Sequence, residues 1–368
     1  MVFGSIYGWE NGVDDIFNPH SSRNRDNCLE PMRVLERLSS RNGIRLHTAD
    51  VIARDKVAPL FSLYVESIDF VDCGVRKNYL ILYETSLTVP RNAHFNYLQK
   101  FDVIFTWNLD LIKNGFRDSF GNSISSNRFV QIHHPNPVPS KCPKDFKSPP
   151  YDSRLNFVCL IGSNRHANLL DERELYSERV RAIQWFQKNA PSDFKLYGNG
   201  WNVPMKRFGR IGKLHYRIEK IFFWLIGCLA FPSYQGPIKT KYDILIQTKF
   251  CICFENARDI SGYITEKIFD CLFAGCIPIY WGDKDVGEVI PDTCFIDFRK
   301  FACYQDLYLF LKKMTPEQYS GYQKAGQDFL NSSRFAPFTS NSFASSVVGK
   351  IAQDFNIAYE INTHQASV

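Results

Sequence analysis

The sequence predicts an α/β protein built from two domains that each contain a parallel sheet. The chain has 368 residues, whereas a single domain usually holds roughly 150. Apolar strands alternate with amphipathic helices in the first half, and the same alternation restarts in the second half. This alternation favours parallel sheets with helices on both faces. A proline-rich stretch at 135–150, PNPVPSKCPKDFKSPP, lies between the two halves and can continue neither a helix nor a sheet.

Each half supplies enough elements for a sheet of its own. The periodicity of apolar residues predicts elements of the first half at 2–8 (strand), 29–41 (helix), 43–48, 77–83 and 102–107 (strands). The elements predicted in the second half are at 155–162 (strand), 174–189 (helix), 194–197 and 250–254 (strands), 265–274 (helix) and 277–281 (strand). We therefore expect two Rossmann-like domains that face each other across a cleft.

The predicted boundaries follow the proline-rich stretch. Residues 1–134 form the first domain, 135–150 the linker, 151–345 the second domain, and 346–368 a C-terminal tail or helix. The composition, 45% hydrophobic and 22% charged, excludes a disordered or fibrous chain. The formal net charge of +6 is compatible with an anionic ligand and too small for a nucleic-acid partner.

The 11 cysteines give no sign of a metal or redox site, because their number is odd and no C-x-x-C spacing occurs. Most lie in apolar runs, so we expect buried free thiols and a reducing compartment. The N-terminus, MVFGSIYGWENGVDD, has no basic region followed by an apolar run. The prediction is a cytoplasmic protein, and a peripheral position on the inner membrane stays open.

A basic and apolar insertion occupies residues 206–232. The apolar run IFFWLIGCLAF is too short for the ~20 residues that cross a bilayer, and six basic residues precede it: Lys206, Arg207, Arg210, Lys213, Arg217 and Lys220. Two interpretations stay open: a helix packed against the protein, or a peripheral contact with a membrane or an acceptor.

The segment KFCICFENARDISGYITEKIFDCLFAGCIPIYWGD concentrates polar side chains where a ligand should bind. Ligands of parallel sheets lie beyond the carboxyl ends of the strands, beside the first turn of the next helix. Glu255 and Asn256 end a strand, and a loop containing Tyr263 leads to Thr265, Glu266 and Lys267 at a helix start. A lysine beside helix N–H groups suits a diphosphate, and a carboxylate there can bind ribose hydroxyls. Capping of the helix alone would explain the same residues.

A second candidate phosphate site follows the preceding strand. Ser163 and Asn164, with Arg165 and His166, end that strand, and Arg179 and Arg181 lie in the next helix. Arginine binds phosphate through paired hydrogen bonds and keeps its charge. Neither G-x-G-x-x-G nor G-x-x-x-x-G-K-[ST] occurs, which disfavours NAD enzymes and P-loop NTPases.

The stretch FENARDISGYITEKIFDCLFAGCIPIYWGD closely resembles the signature of the family 10 glycosyltransferases, the α-1,3/1,4-fucosyltransferases, of bacterial type. The pair Ser163–Asn164 and the segments ERVRAIQWF and KLYGNGW also resemble parts of that family. The resemblance implies a GT-B fold, with GDP-fucose bound by the C-terminal domain and an acceptor glycan by the N-terminal one. It further implies inversion at the anomeric carbon without an obligatory metal or other cofactor.

The resemblance also implies roles for single residues. Arg179 and Lys267 would neutralise the phosphates of GDP, Glu266 would contact the ribose, and Asn256 and Tyr263 would line the phosphate and fucose pocket. The family's general base is a glutamate in an E-S-P segment, and its counterpart is Glu84 in LILYETSLTVP, where Thr85 and Ser86 replace the family's Ser-Pro. From the residues alone, Glu84 follows an apolar strand directly. The other candidate bases are Glu66, Asp110 and His166.

The one D-x-D motif is Asp283-Lys284-Asp285, and the lysine within it disfavours a Mn²⁺ site. Aromatic residues make up 15% of the chain, and five at predicted strand ends or turns could either stack on a sugar or belong to the core: Tyr7, Trp9, Trp107, Trp201 and Trp281.

The function expected is fucosylation of a surface glycan such as lipopolysaccharide. The alternatives are transfer from another GDP-sugar, and a sugar-nucleotide-binding homologue without activity. The acceptor, the linkage and the oligomeric state stay open.

Overall fold

The computed structural model describes residues 1–8, 12–66, 68–205, 209–227 and 231–359. Trp9, Lys206 and Arg207, named above, lie outside the described residues. The chain divides into two compact units. Unit 1 consists of Met1–Pro137 and Phe335–Val368, and unit 2 of Val138–Arg334.

Unit 1 contains a six-stranded, fully parallel sheet in the order β2-β1-β3-β4-β5-β8, and a small antiparallel pair, β6 and β7. The strands are β1 (Val2–Tyr7), β2 (Ile44–Thr48), β3 (Phe61–Val65), β4 (Lys77–Leu82), β5 (Val103–Thr106), β6 (Phe116–Arg117), β7 (Ser123–Ile124) and β8 (Phe129–Gln131). The helices are α1 (Glu30–Arg41), α2 (Ala49–Arg54), α3 (Phe95–Leu98) and α4 (Leu109–Asn114). Every residue of β3 is buried, as expected for a central strand covered on both faces.

Unit 2 contains a five-stranded parallel sheet in the order β10-β9-β11-β12-β13. Its strands are β9 (Asn156–Ile161), β10 (Phe194–Tyr197), β11 (Thr248–Phe254), β12 (Ile277–Trp281) and β13 (Ile296–Asp297). Its helices are α5 (Tyr176–Asn189), α6 (Gly209–Ile226), α7 (Lys241–Leu245), α8 (Glu266–Phe273), α9 (Val286–Val289), α10 (Tyr304–Lys313) and α11 (Pro316–Leu330). Both sheets are parallel with helices between strands, so the predicted α/β class with two Rossmann-like domains is confirmed.

The last helix, α12 (Ser340–Asp354), belongs to unit 1. It packs along α1, and its inward residues Phe343, Val347 and Ile351 are at most 1% exposed. At its end, Asp354 accepts a 2.9 Å hydrogen bond from Tyr79 of β4. The boundaries predicted from the sequence differ here, since they assign 335–345 to the second domain and 346–368 to a separate tail. An amphipathic helix indicates that it has a buried face without indicating which sheet covers it.

The predicted linker at 135–150 also differs, because the part from Val138 onward belongs to unit 2. Phe146 is 3% exposed and stacks on Phe273, with 6.0 Å between the ring centroids. Gln323 of α11 donates to the carbonyl of Pro149 at 3.0 Å. The prolines therefore prevent helix and strand formation, while the segment still packs against unit 2.

The cysteines form no disulfide among the described residues: all ten described cysteines are free thiols, and six of them are buried. Within the described parts of the chain, no helix combines the length and the apolar character needed to cross a membrane.

Candidate functional site

A buried glutamate joins the end of β11 to the start of α8. Glu255, the residue after β11, is 0% exposed, and its backbone N–H donates to the carbonyl of Trp281 at the end of β12 (2.8 Å). Its Oε1 accepts from the backbone N–H of Thr265 at 2.8 Å. Its Oε2 accepts from the Thr265 hydroxyl at 2.7 Å and from the Lys267 ammonium at 2.9 Å. The carboxylate of Glu255 therefore fixes both the helix start and the lysine.

Lys267 is a fixed cation in the first turn of α8. Its Nζ also donates to the Thr265 hydroxyl at 2.7 Å, and its side chain is 21% exposed. Burial lowers the pKa of Lys267, but the negative charges of Glu255 and Glu266 outweigh burial and leave that pKa raised. A cation at a helix N-terminus is unfavourable beside the helix dipole unless a counter-charge compensates it. Glu255 provides that counter-charge, and the remaining field of the ammonium and the helix N–H groups suits an anion.

Glu266 lies at the more exposed side of the same turn. Its side chain is 46% exposed and accepts from Lys241 of α7 at 3.3 Å. Lys241 also donates to Asp270, one turn later in α8, at 2.7 Å. Glu266 is thus a carboxylate on an accessible rim, in contrast to the buried carboxylate of Glu255.

Arg179, Asn256 and Tyr263 form one chain of hydrogen bonds. The Arg179 guanidinium donates twice to the Phe254 carbonyl, at 3.1 and 2.7 Å, and once to Asn256 Oδ1 at 2.9 Å. Asn256 Nδ2 then donates to the Tyr263 hydroxyl at 3.2 Å. Arg179 is 9% exposed and Tyr263 is 1% exposed. The structure therefore brings the three predicted residues together. Two of these three Arg179 hydrogen bonds go to the carbonyl at the end of β11.

The loop after β9 places Ser163 and Asn164 at the same edge of the sheet, because β9 and β11 are neighbouring parallel strands. Ser163 is half-buried. Asn164 is 2% exposed and donates from Nδ2 to the Gly200 carbonyl at 3.1 Å. Among the described residues, its Oδ1 has no hydrogen-bond partner. The adjoining turn requires Gly198 (φ +124°), since a Cβ there would come 2.0 Å from the Gly162 carbonyl oxygen.

The D-x-D motif holds the loop between β11 and α8. Asp283 accepts from the backbone N–H groups of Gly262 at 2.8 Å and Asp285 at 3.0 Å, and Asp285 accepts from the Ser261 hydroxyl at 3.1 Å. Burial raises the pKa of Asp283, and the backbone donors oppose that shift. From the sequence, this motif can be assessed only as a metal site, because the contacts of its aspartates with the loop are not visible there.

The described residues contain a single group of three or more side chains able to share a metal ion, the buried thiols Cys251, Cys253 and Cys271. They lie on β11 and α8, and all three are at most 4% exposed. Such a group fits a small-residue core at least as well as a metal site.

In unit 1, a second glutamate organises the bend after β4. Glu66 follows β3 and has a positive φ of 67°. Its Oε2 accepts from the backbone N–H groups of Tyr83 at 3.1 Å and Glu84 at 2.8 Å, and its Oε1 accepts from Asn92 Nδ2 at 2.7 Å. Asn92 also donates to the Glu84 carbonyl at 2.9 Å. Burial raises the pKa of Glu66, against the lowering effect of these hydrogen bonds. The backbone at Glu84 is therefore fixed by Glu66 and Asn92.

Asp110 and His166 are two further candidate bases, and Trp107 and Trp201 are two of the candidate sugar-stacking residues. Asp110 is exposed in the first turn of α4, and His166 Nδ1 contacts the carbonyl of Ala167 at 2.7 Å. Trp107 and Trp201, 4% and 2% exposed, donate from their indole N–H groups to the carbonyls of Tyr83 and Gly162. Of the two interpretations of these tryptophans, the core contact is correct, since a sugar cannot reach buried ring faces.

Comparison with known proteins identifies the second half of the chain. The family description "Glycosyltransferase family 10 (fucosyltransferase) C-term" matches residues 176–336. An α-(1,3)-fucosyltransferase, FucT, of Helicobacter pylori is 37% identical over 75 residues, which are 20% of this chain and 16% of that protein. An α-(1,4)-fucosyltransferase of Arabidopsis thaliana is 37% identical over 76 residues, 20% of this chain and 19% of that protein. The GDP-fucose protein O-fucosyltransferase 3 of Xenopus laevis is 34% identical over 84 residues, 23% of this chain and 18% of that protein. The chain thus matches less than one fifth of the length of each of these relatives.

Solved structures show the fold. Anabaena Alr3699/HepE in complex with UDP and glucose has a TM-score of 0.52 at 9% identity, and the match covers 96% of this chain and 99% of that one. An α-glucosyltransferase in complex with UDP-glucose and DNA has a TM-score of 0.50 at 10% identity, covering 96% and 98%. At such identities the likeness concerns the fold alone, and that fold is GT-B, as predicted.

Proposed function

Because the C-terminal description of glycosyltransferase family 10 matches residues 176–336, we propose that the chain belongs to this family and transfers L-fucose from GDP-β-L-fucose to a glycan hydroxyl. The acceptor is a glycan containing GlcNAc or galactose, of the kind found in bacterial lipopolysaccharide and other surface polysaccharides. The observation that carries the proposal is the Lys267 ammonium held by Glu255 in the first turn of α8.

The donor binds at the carboxyl ends of β9 and β11. Lys267 and the first N–H groups of α8 receive the diphosphate, and Arg179 adds a second positive charge at the end of β11. The exposed carboxylate of Glu266 accepts hydrogen bonds from the ribose hydroxyls. The buried Asn164 Oδ1 accepts a hydrogen bond from GDP-fucose. This bond would remove the free-energy cost of a buried oxygen atom that has no hydrogen-bond partner. Ser163, Thr265, Asn256 and Tyr263 complete the donor site.

The reaction is a single in-line displacement. An acceptor oxygen forms a bond to the anomeric carbon of fucose, and the bond from that carbon to the phosphate oxygen breaks on the opposite face. The bonding electrons leave with GDP, while the hydroxyl proton passes to a carboxylate. Fixed cations stabilise the charge that grows on the leaving diphosphate more than they stabilise the bound donor. The configuration at the anomeric carbon is therefore inverted.

Glu84 is the proposed base in unit 1. The structure favours it over Glu66, because both oxygens of Glu66 already accept hydrogen bonds from the chain at Tyr83, Glu84 and Asn92. Glu66 is then a positioning residue that fixes the backbone of the base.

The proposed transfer needs no metal ion. Asp283 and Asp285 accept hydrogen bonds from the loop at Gly262 and Ser261, so loop structure accounts for the D-x-D motif. The diphosphate charge is balanced by Lys267 and Arg179, which supply the electrostatic role that a divalent ion has elsewhere.

Transfer from GDP-fucose to a panel of acceptors tests the proposal. The panel contains GlcNAc- and galactose-terminated oligosaccharides and a serine/threonine peptide, and NMR of the product gives the linkage and anomeric configuration. We expect acceptor-dependent release of one GDP for each fucose transferred to an oligosaccharide. Donor binding without acceptor-dependent GDP release would assign the chain to the inactive homologues, and faster turnover of GDP-mannose would assign another donor.

A matched pair of lysine variants tests the donor site by calorimetry with GDP. Lys267→Met should weaken GDP binding about 10- to 100-fold, because a charged hydrogen bond to phosphate is lost. Lys249→Met is the control, since Lys249 lies near the opposite end of β11, over the ring of Tyr151. Equal GDP affinity in the two variants would remove Lys267 from the donor site.

A further inference from the structure

Helix α6 presents its apolar side to solvent. Six aliphatic or aromatic residues recur at helical spacing along one stripe of this 18-residue helix, and all are exposed: Ile211, Leu214, Ile218, Ile221, Phe222 and Leu225. Trp224, beside the stripe, is 82% exposed. The interpretation of this segment as a helix packed through its apolar face therefore does not fit residues 209–227.

The less exposed side of α6 is the more polar one. Gly212, Tyr216, Glu219 and Phe223 are half-buried, and they lie opposite the apolar stripe. Glu219 accepts from the backbone N–H of Met205 at 3.4 Å and contacts His215 at 3.3 Å. The more covered side of α6 is thus its polar side, and its apolar side is exposed. A globular protein normally orients such a helix the other way.

Positive charge flanks the apolar stripe on one side. Arg210, Lys213, Arg217 and Lys220 are exposed along that border, and Glu219 is the only acidic residue in the helix. Lys220 Nζ lies 5.7 Å from the ring centroid of Tyr216. An apolar stripe bordered by lysine and arginine complements an interface of acyl chains and anionic headgroups, since long basic side chains can reach headgroups while their stems stay in apolar surroundings.

Helix α6 lies in a segment, 198–232, that leaves the edge of the unit 2 sheet and returns to it; we call this segment the excursion. The chain leaves the edge strand β10 at Tyr197 and returns beside it, where Ser233 O accepts from Leu196 N (3.0 Å) and Gln235 N donates to Leu196 O (2.8 Å). The sheet is complete without the excursion. Its solvent-facing apolar stripe therefore serves no core of unit 2.

We propose that α6 binds the surface of a bilayer that contains anionic phospholipid, with its axis parallel to the membrane. Its stripe enters the boundary between headgroups and acyl chains, and the four basic residues bind the headgroups. The helix does not span the bilayer. A membrane surface at this helix would hold the enzyme close to acceptors carried on lipid.

A second copy of the chain is a poorer occupant of the same stripe. Ile211, Leu214, Ile218, Ile221 and Leu225 follow a three–four spacing that could pair two helices. The run covers only about two and a half heptads, whereas coiled coils usually need at least three or four. Self-pairing would also bring the positive borders of two helices, with Arg210 and Arg217, against each other.

Flotation of the full chain with phospholipid vesicles tests this proposal. Vesicles of phosphatidylcholine with phosphatidylglycerol should bind the protein, vesicles of phosphatidylcholine alone should bind it much less, and salt should weaken the binding. The K213Q/R217Q variant should bind about 25-fold more weakly, because each basic residue near an anionic surface gives about fivefold in affinity. The I218Q/L225Q variant should lose binding to both kinds of vesicle.

Matched controls lie elsewhere on unit 2. K188Q/K313Q removes two exposed charges, and L155Q/L309Q removes two exposed apolar side chains, and both variants should bind vesicles like the unchanged protein. GDP affinity should be equal in all four variants, which separates this test from that of the proposed transfer. Absence of vesicle binding, or binding that the α6 variants leave unchanged, would overturn the proposal. A concentration-dependent dimer that I218Q/L225Q dissociates, without vesicle binding, would assign the stripe to a second copy and overturn it as well.

Discussion

Two glutamates, half-buried Glu66 in unit 1 and fully buried Glu255 in unit 2, follow a strand and fix a neighbouring segment that carries a candidate reactive group. In unit 1, Glu66 follows β3 and holds the backbone of Glu84. In unit 2, Glu255 follows β11 and holds Thr265 and Lys267. The difference between the two is the chemistry of their partners. Glu255 binds an ammonium group, whereas Glu66 accepts from backbone N–H groups and from the amide of Asn92.

The partners differ in how pH affects them and the glutamate that holds them. Burial raises the pKa of Glu66, and neutral hydrogen-bond donors offset that shift only in part. In unit 2 the charge of Glu255 instead helps to raise the pKa of Lys267 above its ordinary value, despite burial. Lys267 of unit 2 therefore keeps its positive charge over the working range of pH, while the unit 1 glutamate becomes easier to protonate. A glutamate after a strand thus supports a permanent positive charge in unit 2 and is itself the titratable group in unit 1.

The largest effect is expected at the residue that Glu66 positions. Glu84→Gln should lower turnover about 10²- to 10⁴-fold, because the acceptor proton loses its base. GDP affinity should be unchanged, since the donor residues belong to unit 2. Steady-state GDP release and calorimetry measure the two quantities. Asp110→Asn, a change at an exposed carboxylate of the same unit, is the control and should keep full turnover. Full turnover of Glu84→Gln would show that another group takes the proton.

The second-largest effect is expected when the ion pair between Glu255 and Lys267 in unit 2 is broken. Glu255→Gln should lower the free energy of unfolding of unit 2 by about 3 kcal/mol, because Lys267 keeps its charge without the buried counter-charge. Urea unfolding followed by tryptophan fluorescence measures the change. Glu266→Gln is the matched control, and because its side chain is 46% exposed it should cost less than about 1 kcal/mol. Equal losses in the two variants would mean that burial does not distinguish the two carboxylates.

A third prediction concerns the pH response of unit 1. The pKa of Glu66 is higher in the folded protein than in the unfolded chain, so the folded state binds this proton more readily. The stabilising contribution of that proton is complete below the unfolded pKa and is lost as the pH rises through the folded pKa. Glu66→Gln should cost about 2 kcal/mol near neutral pH, because the Asn92 amide loses its acceptor. The cost relative to the unchanged protein should grow as the pH falls. A cost that is independent of pH would show that Glu66 keeps its ordinary pKa.

The smallest effect is expected at Asp283, a buried carboxylate of unit 2. It sharpens the comparison because it accepts from backbone N–H groups, as Glu66 does. Asp283→Asn should lower the free energy of unfolding by about 1 kcal/mol, since one of its two acceptor oxygens is lost. Turnover of the unchanged protein should not respond to EDTA. A loss of activity with EDTA that Mn²⁺ restores would instead make Asp283 and Asp285 metal ligands.

The strand and helix of the candidate donor site could be predicted from the sequence because their signals are local. An apolar run gives β11, and helical spacing of apolar residues gives α8. The positions of Glu255 and Lys267 at the strand end and helix start follow from these two elements. Their ion pair does not, because it closes a loop whose shape depends on Asp283, far along the chain.

Other features escaped prediction for the same physical reason. Strand β3 is a five-residue segment, FSLYV, that contains a buried serine, and a segment of that length does not reveal its place in the centre of a sheet. Trp107 and Trp201 follow or adjoin strands, as a sugar-binding residue would, yet their indole N–H groups bind backbone carbonyls inside the protein. Helix α6 was predicted to be apolar and basic, but only the structure shows which side faces solvent.

Helix α12 affects the order in which the two units can form during synthesis. Unit 2 is continuous in sequence, from Val138 to Arg334, whereas the core of unit 1 includes Val347, Val348 and Ile351. A nascent chain on the ribosome therefore holds every residue of unit 2 before it holds the helix that covers α1. Domains usually fold in the order of synthesis, but here the unit that begins first is completed last. Until then the apolar surface of α1 that α12 covers stays exposed, and exposed apolar surface of this kind is prone to aggregation.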